Sequence, residues 1–259
     1  MSPDVNPEWW KELFDEVYLA TDARSVCDDD VTRREVDLFM ELIPLSPEQE
    51  ILDLCGGHGR HSMELVSRGF RKCTVLDYSQ FLIDRGKAEA ERQGREITFL
   101  QGDARDTGLP PERFDRVLIL GNSLGYDPGQ DGDREILRES MRLLRSGGRL
   151  LLDTVNGDTL RSRFHPEAWH EVGEDLLVCR KRNLEGNFVI AREMVVSKKG
   201  GLIKDSRYSL RLYGPDSMRD LLGGIGFSGI DVTRDFSPFR EKGDLGFMNF
   251  RMIVTARKP

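Results

Sequence analysis

The stretch EILDLCGGHGRHSMEL, residues 50–65, constrains the fold more than any other part of the chain. An apolar run of strand length carries Asp53 inside it, then enters a turn with glycines at 56, 57 and 59 before a helical pattern begins. Glycines at such a turn take positive φ without steric penalty and let the backbone approach a ligand closely. The following helix directs its unsatisfied N–H groups and the positive end of its dipole back into the turn. A phosphate suits such a place, yet two phosphate patterns fail. A dinucleotide turn wants a glycine three positions after Gly59, where Ser62 stands. A Walker-type loop wants a lysine that the run lacks. Asp53 is also a poor neighbour for a pyrophosphate and suits a cationic or amine-bearing ligand better.

The surrounding pattern predicts the frame for this turn. Asn6 and Pro7 start a helix with Trp10, Leu13, Phe14, Val17 and Tyr18 on one face, and a second helix spans 31–43 until Pro44 and Pro47 end it. From residue 50, the apolar runs ILDLC, KCTVLD, EITFLQGD, FDRVLILGNS and RLLLDTVN alternate with helical segments. That rhythm predicts an α/β fold, a parallel sheet with helices on both faces. Residues 168–213 instead hold three extended stretches broken by LEGN and GG, which predicts an inserted antiparallel meander. A helix at 216–223 and strands near 229–235 and 247–257, separated by Ser237-Pro238 and Gly243, predict a hairpin at the sheet edge. The whole is one domain over 1–259, with N-terminal helices over 1–46 and inserted strands over 160–213.

Four strand ends deliver small or acidic polar residues to one rim: Asp53, Asp77, Asp103 with Ala104, and Gly121-Asn122-Ser123. In a doubly wound sheet that carboxyl edge is where ligands bind. An aspartate such as Asp77 can accept both hydroxyls of a ribose.

The segments WWKELFDEVY, DLCGGHGRH, VLDYS, GDARD, NSLGY and RLY at 211–213 resemble those of class I S-adenosylmethionine-dependent methyltransferases, in particular a bacterial and archaeal small-molecule group. The resemblance spans nearly the full chain. It implies a Rossmann-like seven-stranded sheet, mostly parallel with the last strand antiparallel. It implies S-adenosylmethionine as cofactor, S-adenosylhomocysteine as product, and methyl transfer to an N, O or C nucleophile of a small molecule. By the same resemblance Asp53, Gly56, Gly57, His58 and Gly59 hold the methionine portion, and Asp77 grips the ribose. Tyr78, Asp103 and Ala104 meet the adenine, Gly121, Asn122 and Ser123 face the sulfonium side, and Tyr18 folds over as a lid. The N-terminal helices and the meander are then water-excluding covers, the meander being an oligomerisation ribbon as an alternative. Tyr126 and Asn156 are candidates to touch the acceptor, with His165 and Tyr126 as candidate catalytic groups. Arg211 and Tyr213 flank the insertion as candidate pocket residues.

Competing readings are the same chemistry on RNA or protein, a non-catalytic S-adenosylmethionine-binding module, and an NAD(P)-dependent oxidoreductase. The absent third glycine and Asp53 speak against the last. With 38 basic against 45 acidic residues, the net charge of −7 argues against a general nucleic-acid partner. RKRN at 180–183 and SKKGG at 197–201 are expected at solvated hairpin ends, and Asp28–Asp30 in a solvated loop with Asp30 or Thr32 as a helix cap. Cys55, His58, His61 and Cys73 invite a zinc reading, but their expected positions diverge, so no metal is expected. His58 is expected toward solvent or the lid, and His61 beside its helix. Cysteines 27, 55, 73 and 179 show no paired spacing. With no signal-like or membrane-length apolar run, the expected setting is the cytoplasm. A homodimer stays open.

Overall fold

The computed structural model describes residues 5–129, 131–237, 239 and 245–259, with 23, 24, 234 and 235 described as backbone only. The N-terminal segment forms α1 (Trp10–Leu13), α2 (Glu16–Thr21), α3 (Ala23–Val26) and α4 (Asp29–Leu42). The alternating region gives β1 (Glu50–Leu54), α5 (Arg60–Ser67), β2 (Lys72–Asp77), α6 (Gln80–Arg92), β3 (Thr98–Gln101), β4 (Phe114–Ile119), α7 (Gly132–Leu143) and β5 (Leu144–Val155). Next come α8 (Gly157–Ser162), then β6 (Glu167–Val172), β7 (Leu176–Glu185), β8 (Phe188–Ser197) and β9 (Gly201–Arg211). The chain closes with α9 (Pro215–Ile225), β10 (Ser228–Phe236), a short 3-10 turn over Gly246–Asn249, and β11 (Arg251–Arg257). No described helix is long and apolar enough to cross a membrane.

The main sheet has seven strands in the order β10-β11-β5-β4-β1-β2-β3. β1 pairs in parallel with both β2 and β4, so the strand order reverses there and a crevice opens at the carboxyl edge. β11 runs antiparallel to β5 and β10, as the expected hairpin requires. Pro238 and Gly243, expected in the connection, lie outside the described residues. Period-two alternation assigns the two faces. Ile51, Leu118, Leu151 and Ile253 pack toward Val36, Phe39 and Leu65, while Leu52, Leu54, Val117 and Leu150 pack toward Leu137, Met218 and Leu222. Helices thus cover both sides. Full burial of each such side chain contributes roughly 1.5–3 kcal/mol.

Three local expectations need correction. The insertion has four strands, in the order β6-β7-β8-β9. Gly173, at φ 58°, turns the chain inside what the sequence suggests is one long stretch. The first helix is broken, because the Asp15 side chain accepts from the Tyr18 amide at 3.0 Å and starts α2 afresh. Asp28, not Asp30 or Thr32, caps α4 by accepting from the Val31 amide at 2.8 Å.

The second sheet is held over the carboxyl edge of the first. The Arg211 amide donates to the Gly125 carbonyl at 2.8 Å, and the Gly157 amide to the Tyr213 carbonyl at 2.8 Å. Gly125 sits at φ 101°, and a Cβ there would lie 2.7 Å from the Arg211 carbonyl oxygen, so only glycine admits this approach. The N-terminal helices are clamped between the two sheets. Lys204 of β9 donates to the Leu13 carbonyl at 3.1 Å and to Asp15 at 2.7 Å, while Ser79 donates to the Phe14 carbonyl at 2.8 Å.

Candidate functional site

The glycine turn is built as the sequence implies. Gly57 and Gly59 have φ of 57° and 75°, and Cys55, at the strand end, has φ 60°. A Cβ on Gly56 would sit 2.7 Å from the Asp53 carboxyl carbon, and one on Gly59 would sit 2.8 Å from the Phe99 ring. Gly86 of α6 belongs to the same construction, since a Cβ there would meet the His58 carbonyl oxygen at 2.7 Å. The turn and two helices therefore pack backbone-close.

Asp53 is fully buried under this turn. Ser62, which stands where the dinucleotide pattern wants glycine, donates to one of its oxygens at 2.9 Å. The other oxygen has no partner among the described residues. Burial pushes the Asp53 carboxyl up to about 6, against hydrogen bonds from Ser62. Asp77 accepts from the amides of Gly57 and Ser79, both at 2.8 Å, so it fastens the turn to the tip of β2 while keeping lone pairs for a ligand. Burial raises its carboxyl too, opposed by those amides.

Above these tips opens a first chamber, about 830 Å³ with its open mouth included. Asp77, Tyr78, Asp103, Ala104, Gly121 and Ser123 line it, with Trp10, Phe14 and Tyr18 from the N-terminal helices. Arg105 grips both oxygens of Asp103, the shortest contact being 2.6 Å, and its guanidinium lies 5.3 Å from the Trp10 ring. Trp10 in turn meets Tyr78 edge-on at 4.8 Å. A lid of two aromatics and an arginine thus closes the Asp103 end. Sequence reasoning passed over Trp10 and Arg105 here.

A second chamber, of about 750 Å³, lies behind the tip of β4, between the N-terminal helices and the inner face of β7–β9. Phe14, Tyr18, Gly121 and Tyr126 line both chambers and form their common wall. The rest is largely apolar, with Trp9, Tyr208 and Phe247 as its aromatic members. Trp9 packs on Tyr126 at 5.0 Å and on Tyr208 at 5.5 Å, and Tyr208 meets Phe247 at 6.1 Å. Its charged end is formed by Arg180, which donates to Glu193 at 2.5 Å and to Asp22 at 3.1 Å. Asn122, at φ 66°, accepts with its side-chain oxygen from Thr154 at 3.2 Å and from the Val155 amide at 2.9 Å. The amide orientation at this wall is therefore fixed by β5.

Beneath the wall runs a buried ionic cluster. Arg251, fully buried, bonds Glu35 at 2.5 Å and also pairs with Asp153. Glu35 further holds Arg60 and, at 2.9 Å, His61. Asp153 supports the wall directly, its carbonyl accepting from the Asn122 amide at 3.1 Å and its carboxylate from the Gly121 amide at 3.3 Å. Burial pushes Glu35 up, but Arg60, Arg251 and His61 together hold it well below the usual range.

Several expected site residues are elsewhere. His165 is exposed and lines a separate cavity with Arg163 and Phe250, so it is not beside Tyr126. Asn156 caps α8, accepting from Asp158 and Thr159 amides, and Tyr213 donates to Asp133 at 2.6 Å. Arg211 bonds the carbonyls of Pro128 and Gly129. Tyr213 and Arg211 brace the loop after β4, and none of the three lines either chamber. Of the suggested zinc set, Cys55 lines the first chamber, Cys73 lies in the core, His61 is spent on Glu35, and His58 bonds the backbone of Val26. RKRN is no solvated turn: Arg180 and Arg182 alternate inward on β7 and are 4% and 7% exposed. The signal was the period-two spacing of Val178, Arg180 and Arg182.

A family profile described as a methyltransferase domain matches residues 51–148. A glycine/sarcosine N-methyltransferase of Aphanothece halophytica is 30% identical over 215 residues, covering 82% of this chain and 79% of that protein. The fold is that of a solved S-adenosylmethionine-dependent methyltransferase from Clostridium acetobutylicum, with TM-score 0.72 and 15% identity over 93% of this chain and 96% of that one. A sugar N-methyltransferase from Streptoalloteichus aligns with TM-score 0.64 and 20% identity over 95% and 94% of the two chains.

Proposed function

The chain belongs to the class I S-adenosylmethionine-dependent methyltransferases and uses S-adenosylmethionine as its cofactor, and from that premise we propose that it methylates a small molecule held in the aromatic chamber behind Gly121. When bound, S-adenosylmethionine supplies a methyl group on a positively charged sulfur, which departs by in-line displacement. The residues of the first chamber fit this group. Asp53 is buried beside the chamber and outside its lining, beneath a turn that a Cβ would fill, and its unpartnered oxygen suits a cationic amino group. Asp77 keeps acceptor capacity for two ribose hydroxyls after serving Gly57 and Ser79. Tyr78 and Ala104 offer an apolar slot for a base, with Asp103 as a polar edge.

The common wall of Phe14, Tyr18, Gly121 and Tyr126 is the observation that carries the proposal. These four residues border both ligands, so a donor in the first chamber and an acceptor in the second lie side by side. Alignment of that kind lowers a barrier by roughly 7–11 kcal/mol without a strong acid or base. The named acceptors of the Aphanothece and Streptoalloteichus proteins, glycine or sarcosine and a sugar, are of a size that suits such a chamber. Lys204 and Ser79, by clamping the N-terminal helices, keep the cover shut.

Isothermal titration with S-adenosylhomocysteine tests the first chamber. Saturable heat is expected; no heat and no thermal shift at millimolar ligand overturns the reading. Incubation with radiolabelled methyl donor and a small-metabolite extract tests the second. Label is expected in a small molecule, and label confined to added RNA or protein contradicts the proposal.

A further inference from the structure

The second chamber has a chemical bias of its own. Resting on the methyl transfer assigned to this site, we propose that its acceptor is a small amine, bound as a cation and methylated on nitrogen.

Two independent observations carry this. The first is charge. Asp22 from the end of α2 and Glu193 from β8 both bond one guanidinium, that of Arg180 from β7. Among the described lining residues the remaining cation is Lys204, and its ammonium is engaged by Asp15 at 2.7 Å and by the Leu13 carbonyl. Arg182, two residues further along β7, lines the neighbouring cavity. Among the described lining residues, two carboxylates against one arginine leave a negative surplus at the charged end of the chamber. Burying such a surplus is costly, and a cationic ligand relieves it. The aromatic rings reinforce the same preference, because their faces attract an ammonium. Trp9, Phe14, Tyr126, Tyr208 and Phe247 surround the space.

The second observation is what the chamber lacks. Its described lining contains none of the four histidines, and its carboxylates are committed to Arg180. An alcohol or carbon acid needs a base to give up its proton; a neutral amine does not. The amine is held as the ammonium and gives one proton to water before transfer. Its nitrogen lone pair then forms the N–C bond as the C–S bond breaks, and that bond's electron pair stays on sulfur. The positive charge passes from sulfur to the new ammonium. Positive charge therefore develops on nitrogen inside a chamber that Asp22 and Glu193 line, where they stabilise the transition state more than the neutral amine.

The test uses protein loaded with S-adenosylhomocysteine, titrated calorimetrically with choline and with its neutral isostere 3,3-dimethylbutan-1-ol. Choline is expected to bind roughly tenfold tighter. Equal or reversed affinity overturns the inference. Asp22→Asn and, separately, Glu193→Gln are expected to reduce that preference about fivefold or more, and an unchanged preference in both variants also overturns it. Two variants are used because Glu193 is the deeper and its loss is more prone to impair folding. Paired primary amines and alcohols offered with labelled methyl donor give the chemical readout: label in amines supports the inference, label in alcohols contradicts it. The S-adenosylhomocysteine titration comes first. If that heat is absent, the parent reading fails; if it is present without choline preference, only the amine inference fails.

Discussion

Asp53 and Asp77 stand at neighbouring strand tips but work under different constraints. Asp77 is fastened by two backbone amides, so Asp77→Ala both frees the Gly57 amide and removes an acceptor for ligand hydroxyls. Charge-assisted bonds are worth about 1.5–3 kcal/mol each, so affinity for S-adenosylhomocysteine is expected to fall by about 10–100-fold in calorimetry. Asp53 has a titration consequence instead. Burial lifts its folded-state value from 3.8 to about 6. Between those pH values the folded chain keeps a proton that the unfolded chain has lost, so stability falls as pH rises through the window. Asp53→Asn removes this cost while its amide oxygen still accepts from Ser62. The ligand-free variant is therefore expected to be more stable than the parent by about 2–3 kcal/mol above pH 6, the gap closing toward pH 4. Thermal melts across pH 4–8 read this directly. His58 and His61, which burial lowers to about 4, titrate with the opposite sign but are common to both proteins and drop out of the comparison. The same variant is expected to bind S-adenosylhomocysteine more weakly.

Elements meet at glycines whose spacing the sequence shows but whose neighbours it does not. Gly86 lies mid-helix in α6, where alanine is normally favoured by about 0.8–1 kcal/mol. Here a Cβ would sit 2.5 Å from the Phe99 ring and 2.7 Å from the His58 carbonyl. Gly86→Ala is expected to destabilise by about 1–3 kcal/mol and to weaken S-adenosylhomocysteine binding by pushing α6 off the turn. A variant more stable than the parent would show that the contact is not limiting. Most strand and helix boundaries in the alternating half were legible because each element there is set by its own periodicity and caps, Ser79 and Gly94 among them; the end of α7 was not, since β5 takes over at Leu144, ahead of the Gly147-Gly148 pair expected to stop the helix. The meander was legible as three antiparallel stretches, and its fourth strand was not. Its break at Gly173 is a short turn after a strand, β6, that alternates between exposed and partly buried positions with no fully buried residue, so no apolar run marks where it ends.

The whole molecule is tied together by charges buried between distant segments. Arg251 joins β11 to Glu35 of α4 and Asp153 of β5, all three fully buried. Arg251→Met leaves Asp153 uncompensated and Glu35 with Arg60 as its remaining arginine, and is expected to cost about 3–5 kcal/mol, seen as a lower thermal midpoint. Adding Asp153→Asn is expected to recover part of that loss. A double variant no better than Arg251→Met would mean that the charge on Asp153 is not what the arginine neutralises. The cluster also supports the Gly121–Asn122 wall, so its loss is expected to weaken ligand binding alongside stability.

The sequence by itself determined the alternating sheet, the glycine turn and the acidic strand tips, because each follows from local spacing and from what one residue type permits at one backbone conformation. The tertiary structure alone decided which side chains surround the second chamber and which candidates fall away from it. His165 and Asn156 looked suitable by position in the chain, yet one faces another cavity and the other caps a helix. Arg180 looked like a surface charge, yet it is buried against Asp22, 158 positions earlier, and Arg251 against Glu35, 216 positions earlier. A charge can be taken out of water only where partners converge on it, and partners that far apart leave no trace in any local pattern.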